Sequence, residues 1–221
     1  MLRERGILIA LLIVLSATWA FVELSDEVLE GETARADEAI LLFFRSPDDL
    51  ADPLGPEWLE ETARDVTGLG GIAVLTFVTL AAAGFLALQG KRHLAVYALL
   101  AVGTGMVLSM LLKAGFDRPR PDLVPHAQVV YTSSFPSGHS MMAAVTYLTL
   151  GALLANAQTS WLLKSYLLAL AALLTAAVGV TRVYLGVHWP TDVLGGWTAG
   201  AAWALACWSL ARYLRRRGRI E

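Results

Sequence analysis

Three short polar clusters interrupt an otherwise apolar chain. The first holds Lys113 and, a few residues on, Arg118-Pro119-Arg120-Pro121. The second is Phe135-Pro136-Ser137-Gly138-His139. The third begins at Thr181-Arg182 and runs through His188 and Pro190 to Asp192. Lys113, Arg118, Arg120 and Arg182 are cations, His139 and His188 supply two imidazoles, and Asp192 is a carboxylate. Guanidinium forks match the geometry of phosphate oxygens, and a lysine adds a point charge. Pro136 suits the first position of a helix. Placed there, it predicts unpaired backbone N–H groups on Ser137, Gly138 and His139, an anion site at a helix start. Gly138 admits a ligand close to the backbone. The pattern asks for a phosphate.

The four-residue spacing of His188 and Asp192 has its own meaning. Pro190 and Thr191 open a helix, so Asp192 falls in the first turn and reaches back to His188. A carboxylate on one imidazole nitrogen fixes the tautomer and leaves the other nitrogen as a nucleophile. A plain helix cap also explains an aspartate there. The second histidine and the surrounding cations favour catalysis. A metal held by His139, His188 and Asp192 is the rival reading, but the neighbouring cations oppose a divalent ion, and no His-Glu-x-x-His spacing occurs. No metal or other cofactor is expected. His93 and His126 read as incidental polar residues.

These clusters need elements to carry them, and the composition says which. The 221 residues are 56% hydrophobic and only 16% charged, against roughly 25% charged in ordinary soluble domains. Mean hydropathy is +0.57. A net charge of −2 leaves no electrostatic footprint for nucleic acid. The lone Cys207 excludes an internal disulfide. A bilayer core about 30 Å thick takes roughly 20 helical residues. Apolar runs of that order cover 6–24, 69–89, 93–112, 140–157, 161–180 and 193–211. The expected fold is therefore all-α: a single polytopic domain over 1–221 with six transmembrane helices. The spans are rich in Ala, Gly, Ser and Thr, which suits close helix packing in lipid.

Basic residues in the short loops set the orientation. With the N-terminus inside, Arg3, Arg5, Lys91, Arg92, Lys164, Arg212, Arg215, Arg216, Arg217 and Arg219 gather on the cytoplasmic side. The segment 23–65 then lies outside, with fourteen acids against Arg35, Arg45 and Arg64. By helix parity span three exits outward, span four enters from outside and span five exits outward again. All three clusters thus meet on the extracytoplasmic face. The first apolar run has the flavour of a signal peptide, but it exceeds the roughly 7–15 residues of such a core and reads as an uncleaved span. Segment 23–65 mixes acids with Val28, Leu29, Ile40, Leu41, Phe43, Phe44, Trp58 and Leu59. It reads as one or two amphipathic interfacial helices, either a lid over a lipid entrance or a solvated connector.

Taken together, Lys113 with six residues to Arg120-Pro121, then Pro136-Ser137-Gly138-His139, then Thr181-Arg182 with five residues to His188 and three to Asp192, resemble the signature of the type 2 phosphatidic acid phosphatase superfamily. Thr181 stands where that family has serine, which keeps a hydroxyl for phosphate and adds a methyl. Arg118 is out of register with Lys113 and is expected at the entrance. The resemblance implies a metal-independent lipid phosphatase. In it His188 attacks phosphorus to give a phosphohistidine, Asp192 orients His188, and His139 protonates the leaving oxygen and then activates water. Lys113, Arg120, Ser137, Gly138 and Arg182 would hold the phosphoryl oxygens. The membrane spans exclude the soluble haloperoxidases that share the signature. Small size and a preference for Arg over Lys suggest a bacterial plasma membrane. The expected partner is a lipid phosphate: phosphatidylglycerophosphate, undecaprenyl pyrophosphate or phosphatidic acid. A phosphotransferase using the same intermediate and a non-catalytic lipid transporter are the alternatives.

Overall fold

The computed structural model describes residues 2–122 and 132–216. His126, Arg217 and Arg219 lie outside them. Eight helices follow in order: α1 (Leu2–Glu30), α2 (Ala34–Phe43), α3 (Glu57–Gly68), α4 (Ile72–Leu88), α5 (Arg92–Gly115), α6 (Gly138–Asn156), α7 (Trp161–Tyr184) and α8 (Pro190–Arg216). Among the described residues, the isolated bridge between Arg45 and Pro53 is the one β pairing.

Five helices are long and apolar enough to cross a membrane, and the α3–α4 pair makes a sixth span bent by 50°. Span two, expected over 69–89, is the second arm of this bent pair, broken where Gly68, Gly70 and Gly71 cluster. Gly70 packs directly against Val178 of α7, and any Cβ there would also lie 3.3 Å from the Cβ and carbonyl oxygen of His139. Only a bare backbone makes that approach. The Tyr147 hydroxyl donates to the Leu69 carbonyl at 2.7 Å and holds the break in place.

α6 is the central helix. Its residues from Ser140 through Tyr147 are all buried, so no face of that stretch is left for lipid. It packs on α7 and α8 most extensively, with α4 and α5 on its other sides. Small residues allow the closeness. A Cβ on Gly196 of α8 would lie 2.7 Å from the Ser137 carbonyl oxygen, and one on Gly151 would lie 2.7 Å from the Ala171 methyl. The outer helices turn large apolar side chains outward, among them Leu12, Leu15, Phe77, Leu80, Leu111 and Leu173. So large an exposed apolar surface fits lipid rather than water.

The segment between α1 and α4 lies against the bundle end that carries the polar clusters. Buried Arg45 donates from Nη2 to the Tyr184 carbonyl at 2.6 Å, at the C-terminus of α7. There a cation also meets the negative end of the helix dipole. The Tyr184 hydroxyl donates to the Leu54 carbonyl at 3.2 Å. On α2, Asp37 and Leu41 face inward, while Ile40 and Phe43 are exposed.

Candidate active site

Four helix ends converge here. Lys113 lies in the last turn of α5 and Arg182 in the last turn of α7. His139 is the second residue of α6, and Asp192 lies in the first turn of α8. Arg118 and Arg120 follow α5 on a non-helical stretch, which is tied to the segment before α6 by the Ser134 N–H donating to the Arg118 carbonyl at 2.9 Å. The starts of α6 and α8 are joined directly: the Ser137 N–H donates to the Asp192 carbonyl at 2.9 Å. Clusters far apart in sequence therefore meet at one place.

His188 and Asp192 are both buried, with Nδ1 and Oδ2 separated by 3.2 Å. Asp192 Oδ2 also accepts the Trp189 N–H at 2.9 Å. Its Oδ1 accepts from Arg118 Nη1 at 2.7 Å and from the Ser134 hydroxyl at 3.3 Å. A carboxylate with that many donors is an acceptor only, so the proton between the two groups belongs to His188 Nδ1. The lone pair is then on Nε2, where Arg120 Nη1 sits at 3.2 Å. Burial holds the His188 imidazole far below its usual value of 6.5, to about 3; Asp192 pulls the other way, and Arg182 and Arg120 reinforce burial. At neutral pH it is an uncharged base whose Nε2 lone pair faces Arg120. Asp192 is at once a helix cap and the histidine's orienting group, so both readings of the spacing hold.

Three cations gather near the two imidazoles. Arg120 is fixed by the Val187 carbonyl at 2.8 Å, and burial lowers its guanidinium from the usual value while Asp192 opposes the shift. Lys113 Nζ donates to the Ser133 carbonyl at 2.9 Å. Arg182 Nη1 donates to the Thr67 hydroxyl at 3.1 Å, and its Nε is buried without a partner among the described residues. A Cβ on Gly138 would come within 3.2 Å of Lys113 Cε, so glycine leaves the lysine its place. The charges of Arg182, Lys113 and Arg120 all act on His139. Among the described residues no three His, Cys, Asp or Glu side chains group in a way that holds a metal ion.

Three expectations need correction. Pro136 does not open α6; the helix starts at Gly138, with Ser137 as its cap. The Ser137 N–H is not aimed at a ligand, because the Asp192 carbonyl accepts it. The Thr181 hydroxyl donates to the Val178 carbonyl at 2.7 Å, one turn back in its own helix, rather than facing the cavity. Arg118 makes contacts its register did not suggest: its side chain is 13% exposed and pairs with both Asp192 and Asp37 at 2.7 Å. Sequence reasoning did not single out Asp37, Thr67 or Ser134. Ser134 borders a recognised motif; the other two carry no local signal.

A buried imidazole paired with a carboxylate, with Arg120 and Arg182 acting on it at the end of a bundle of membrane-spanning helices, is a site suited to a phosphate ester in a membrane. The chain belongs to the PAP2 superfamily, whose family model matches residues 94–216. It is 34% identical over 188 residues to phosphatidylglycerophosphatase B of Bacillus subtilis, covering 81% of this chain and 85% of that protein. It is 32% identical over 114 residues to a Bacillus subtilis undecaprenyl-diphosphatase, 48% of this chain and 52% of that one. The crystal structure of a transmembrane PAP2-type phosphatidylglycerolphosphate phosphatase from Bacillus subtilis superposes with a TM-score of 0.79 at 30% identity, covering 92% of this chain and 98% of the other. The protein is a multi-pass bacterial membrane enzyme, a lipid phosphatase, and the reading as a non-catalytic transporter falls away.

Proposed function

We propose that this chain removes phosphate from membrane lipids at the extracytoplasmic face of the plasma membrane, through a phosphohistidine on His188. The observation that carries the reading is the His188–Asp192 pair, with Nε2 turned to Arg120 at 3.2 Å. Nε2 attacks phosphorus, and the bond from phosphorus to the lipid oxygen breaks. His139 protonates the departing alkoxide. It then takes a proton from water, which attacks the phosphohistidine and releases inorganic phosphate and free His188. Asp192 stabilises the imidazolium character that develops. Lys113, Arg120, Arg182, the Ser137 hydroxyl and the Gly138 N–H hold the phosphoryl oxygens, the electrostatic stabilisation that phosphoryl transfer relies on. No metal or cofactor enters.

Phosphatidylglycerophosphate is the preferred substrate in this reading, since the relatives alike over most of the chain are named for it. Undecaprenyl pyrophosphate comes second, supported by the shorter likeness. Residues 1–221 act as one unit, with both termini cytoplasmic. Exposed Phe43 and Trp58 support an interfacial position for segment 23–65.

The test is phosphate release from a panel of lipid phosphates by the purified protein in detergent with chelator present. Inorganic phosphate should appear one for one with dephosphorylated lipid; a deficit means transfer to another acceptor. His188→Ala should leave no acid-labile phosphoenzyme. His139→Ala should cripple lipid hydrolysis by about 10²–10⁴ yet still form phosphoenzyme from nitrophenyl phosphate, whose leaving group needs little help. The opposite pattern reverses the two roles.

A further inference from the structure

Of the fourteen acids in segment 23–65, Asp37 is the one whose partners lead into the catalytic centre. It is 1% exposed. Its Oδ1 accepts the Thr191 N–H at 2.9 Å, in the first turn of α8. Its Oδ2 accepts the Thr191 hydroxyl at 2.6 Å and Arg118 Nη2 at 2.7 Å. The other end of the same guanidinium, Nη1, donates to Asp192 Oδ1 at 2.7 Å and to the Thr191 hydroxyl oxygen at 2.8 Å. Asp37, Arg118, Asp192 and His188 therefore form an unbroken line, with the longest link, 3.2 Å, between Asp192 and His188.

Charge gives that line a purpose. During phosphoryl transfer His188 becomes cationic, and Asp192 must turn its negative charge toward it. Arg118 grips the same carboxylate from the opposite side, and an unbalanced guanidinium there competes with the imidazolium for it. A second carboxylate on the far side of Arg118 removes the competition while keeping the grip. Buried charges act strongly on each other because little water screens them. Capping of α8 alone needs only the bond to the Thr191 N–H. It gives no reason for a guanidinium bridging two buried carboxylates.

We propose that Asp37 is a positioning residue of this enzyme, acting through Arg118 to hold Asp192 and its charge on His188. The proposal rests on His188 being the nucleophile. It also assigns the interfacial helix α2 a task in catalysis, because the reacting dyad is aligned only when α2 is seated.

Asp37→Asn keeps the size and the bond to the Thr191 N–H and removes the charge. Its kcat on lipid phosphate should fall roughly 10–100-fold, the range for carboxylates that orient histidines in metal sites from behind, with KM within about twofold. Formation of the His188 phosphoenzyme should slow by the same factor. Because Asp37 works through Arg118, adding Asp37→Asn to Arg118→Ala should cost nothing further. Exposed Glu38, the next residue, serves as control, and Glu38→Gln should retain full activity. An unchanged kcat in Asp37→Asn overturns the proposal, as does a loss confined to KM or losses that multiply in the double variant. Should Asp37→Asn not fold, Arg118→Gln takes its place; a normal kcat there overturns the proposal equally. Failure of the His188 reading is distinguishable, since it shows as absence of acid-labile phosphoenzyme in the unsubstituted chain.

Discussion

Replacing Asp192 by asparagine tests the catalytic assignment most sharply, because the hydrogen bonds around it dictate the outcome. Oδ2 accepts from His188 Nδ1 at 3.2 Å and from the Trp189 N–H at 2.9 Å, while Oδ1 accepts from Arg118 at 2.7 Å and from Ser134 at 3.3 Å. Asparagine offers one oxygen and one NH₂. Bonds from charged donors are worth about 1.5–3 kcal/mol and neutral ones about 0.5–1.5. The oxygen therefore turns to Arg118, favoured by about 1 kcal/mol or more, and the NH₂ confronts His188. The imidazole relieves the clash by moving its proton to Nε2, the nitrogen required for attack. A comparable aspartate-to-asparagine exchange in a serine protease triad costs about 10⁴ in kcat through the wrong tautomer. We expect Asp192→Asn to lower kcat by about 10³–10⁴ with KM little changed, and to abolish rapid phosphoenzyme formation. Steady-state phosphate release and acid-quench trapping measure both. A kcat within tenfold of the unsubstituted enzyme refutes the reasoning.

Arg120→Ala and Arg182→Ala should each lose about 10²–10³ in rate and weaken inhibition by orthophosphate, whereas Arg118→Ala should lose kcat but leave phosphate inhibition unchanged; titrating phosphate against each variant separates the two. Because burial lowers His188 from 6.5 to about 3 in the folded chain, the unfolded chain binds a proton there that the folded chain cannot. Stability should therefore fall as pH drops through about 6.5, and His188→Asn should shallow that loss in melting curves between pH 7 and 5. Cysteine placed at Ser46 on a Cys207-free background should react with an impermeant thiol reagent in intact cells, and cysteine at Arg92 should not; the reverse pattern moves the site to the cytoplasmic side.

The helices were legible because lipid demands long apolar runs, but their ends were not. Hydropathy stops where charge begins, while backbone hydrogen bonding carries on. α5 thus continues to Gly115 and α7 to Tyr184, past the expected ends at 112 and 180, and so include Lys113 and Arg182. α1 runs on to Glu30 for the same reason. The break before α4 was missed because an apolar run containing Gly68, Gly70 and Gly71 looks the same to hydropathy whether bent or straight. Spacing within 113–192 pointed to the family, since motifs tied to helix starts and ends are local.

What the amino-acid sequence determined alone was the solvent, the helical class and the inventory of imidazoles, carboxylate and cations. Composition forces the chain into lipid, and residue type sets what each side chain can donate, accept or attack. Tertiary structure decided what each of two neighbouring arginines touches. Arg118 and Arg120 are separated by one residue, yet one grips Asp192, 74 positions away, and the other stands at His188, 68 positions away. It also decided that Asp37, one acid among fourteen in its segment, reaches Thr191 across 154 positions. Which partner a guanidinium meets depends on the groups around it, since simple alternation along an extended chain would put positions 118 and 120 on one side, and a buried carboxylate is stable only where donors meet it. Both conditions are set by how α2, α6 and α8 pack, and no local run of residues encodes them.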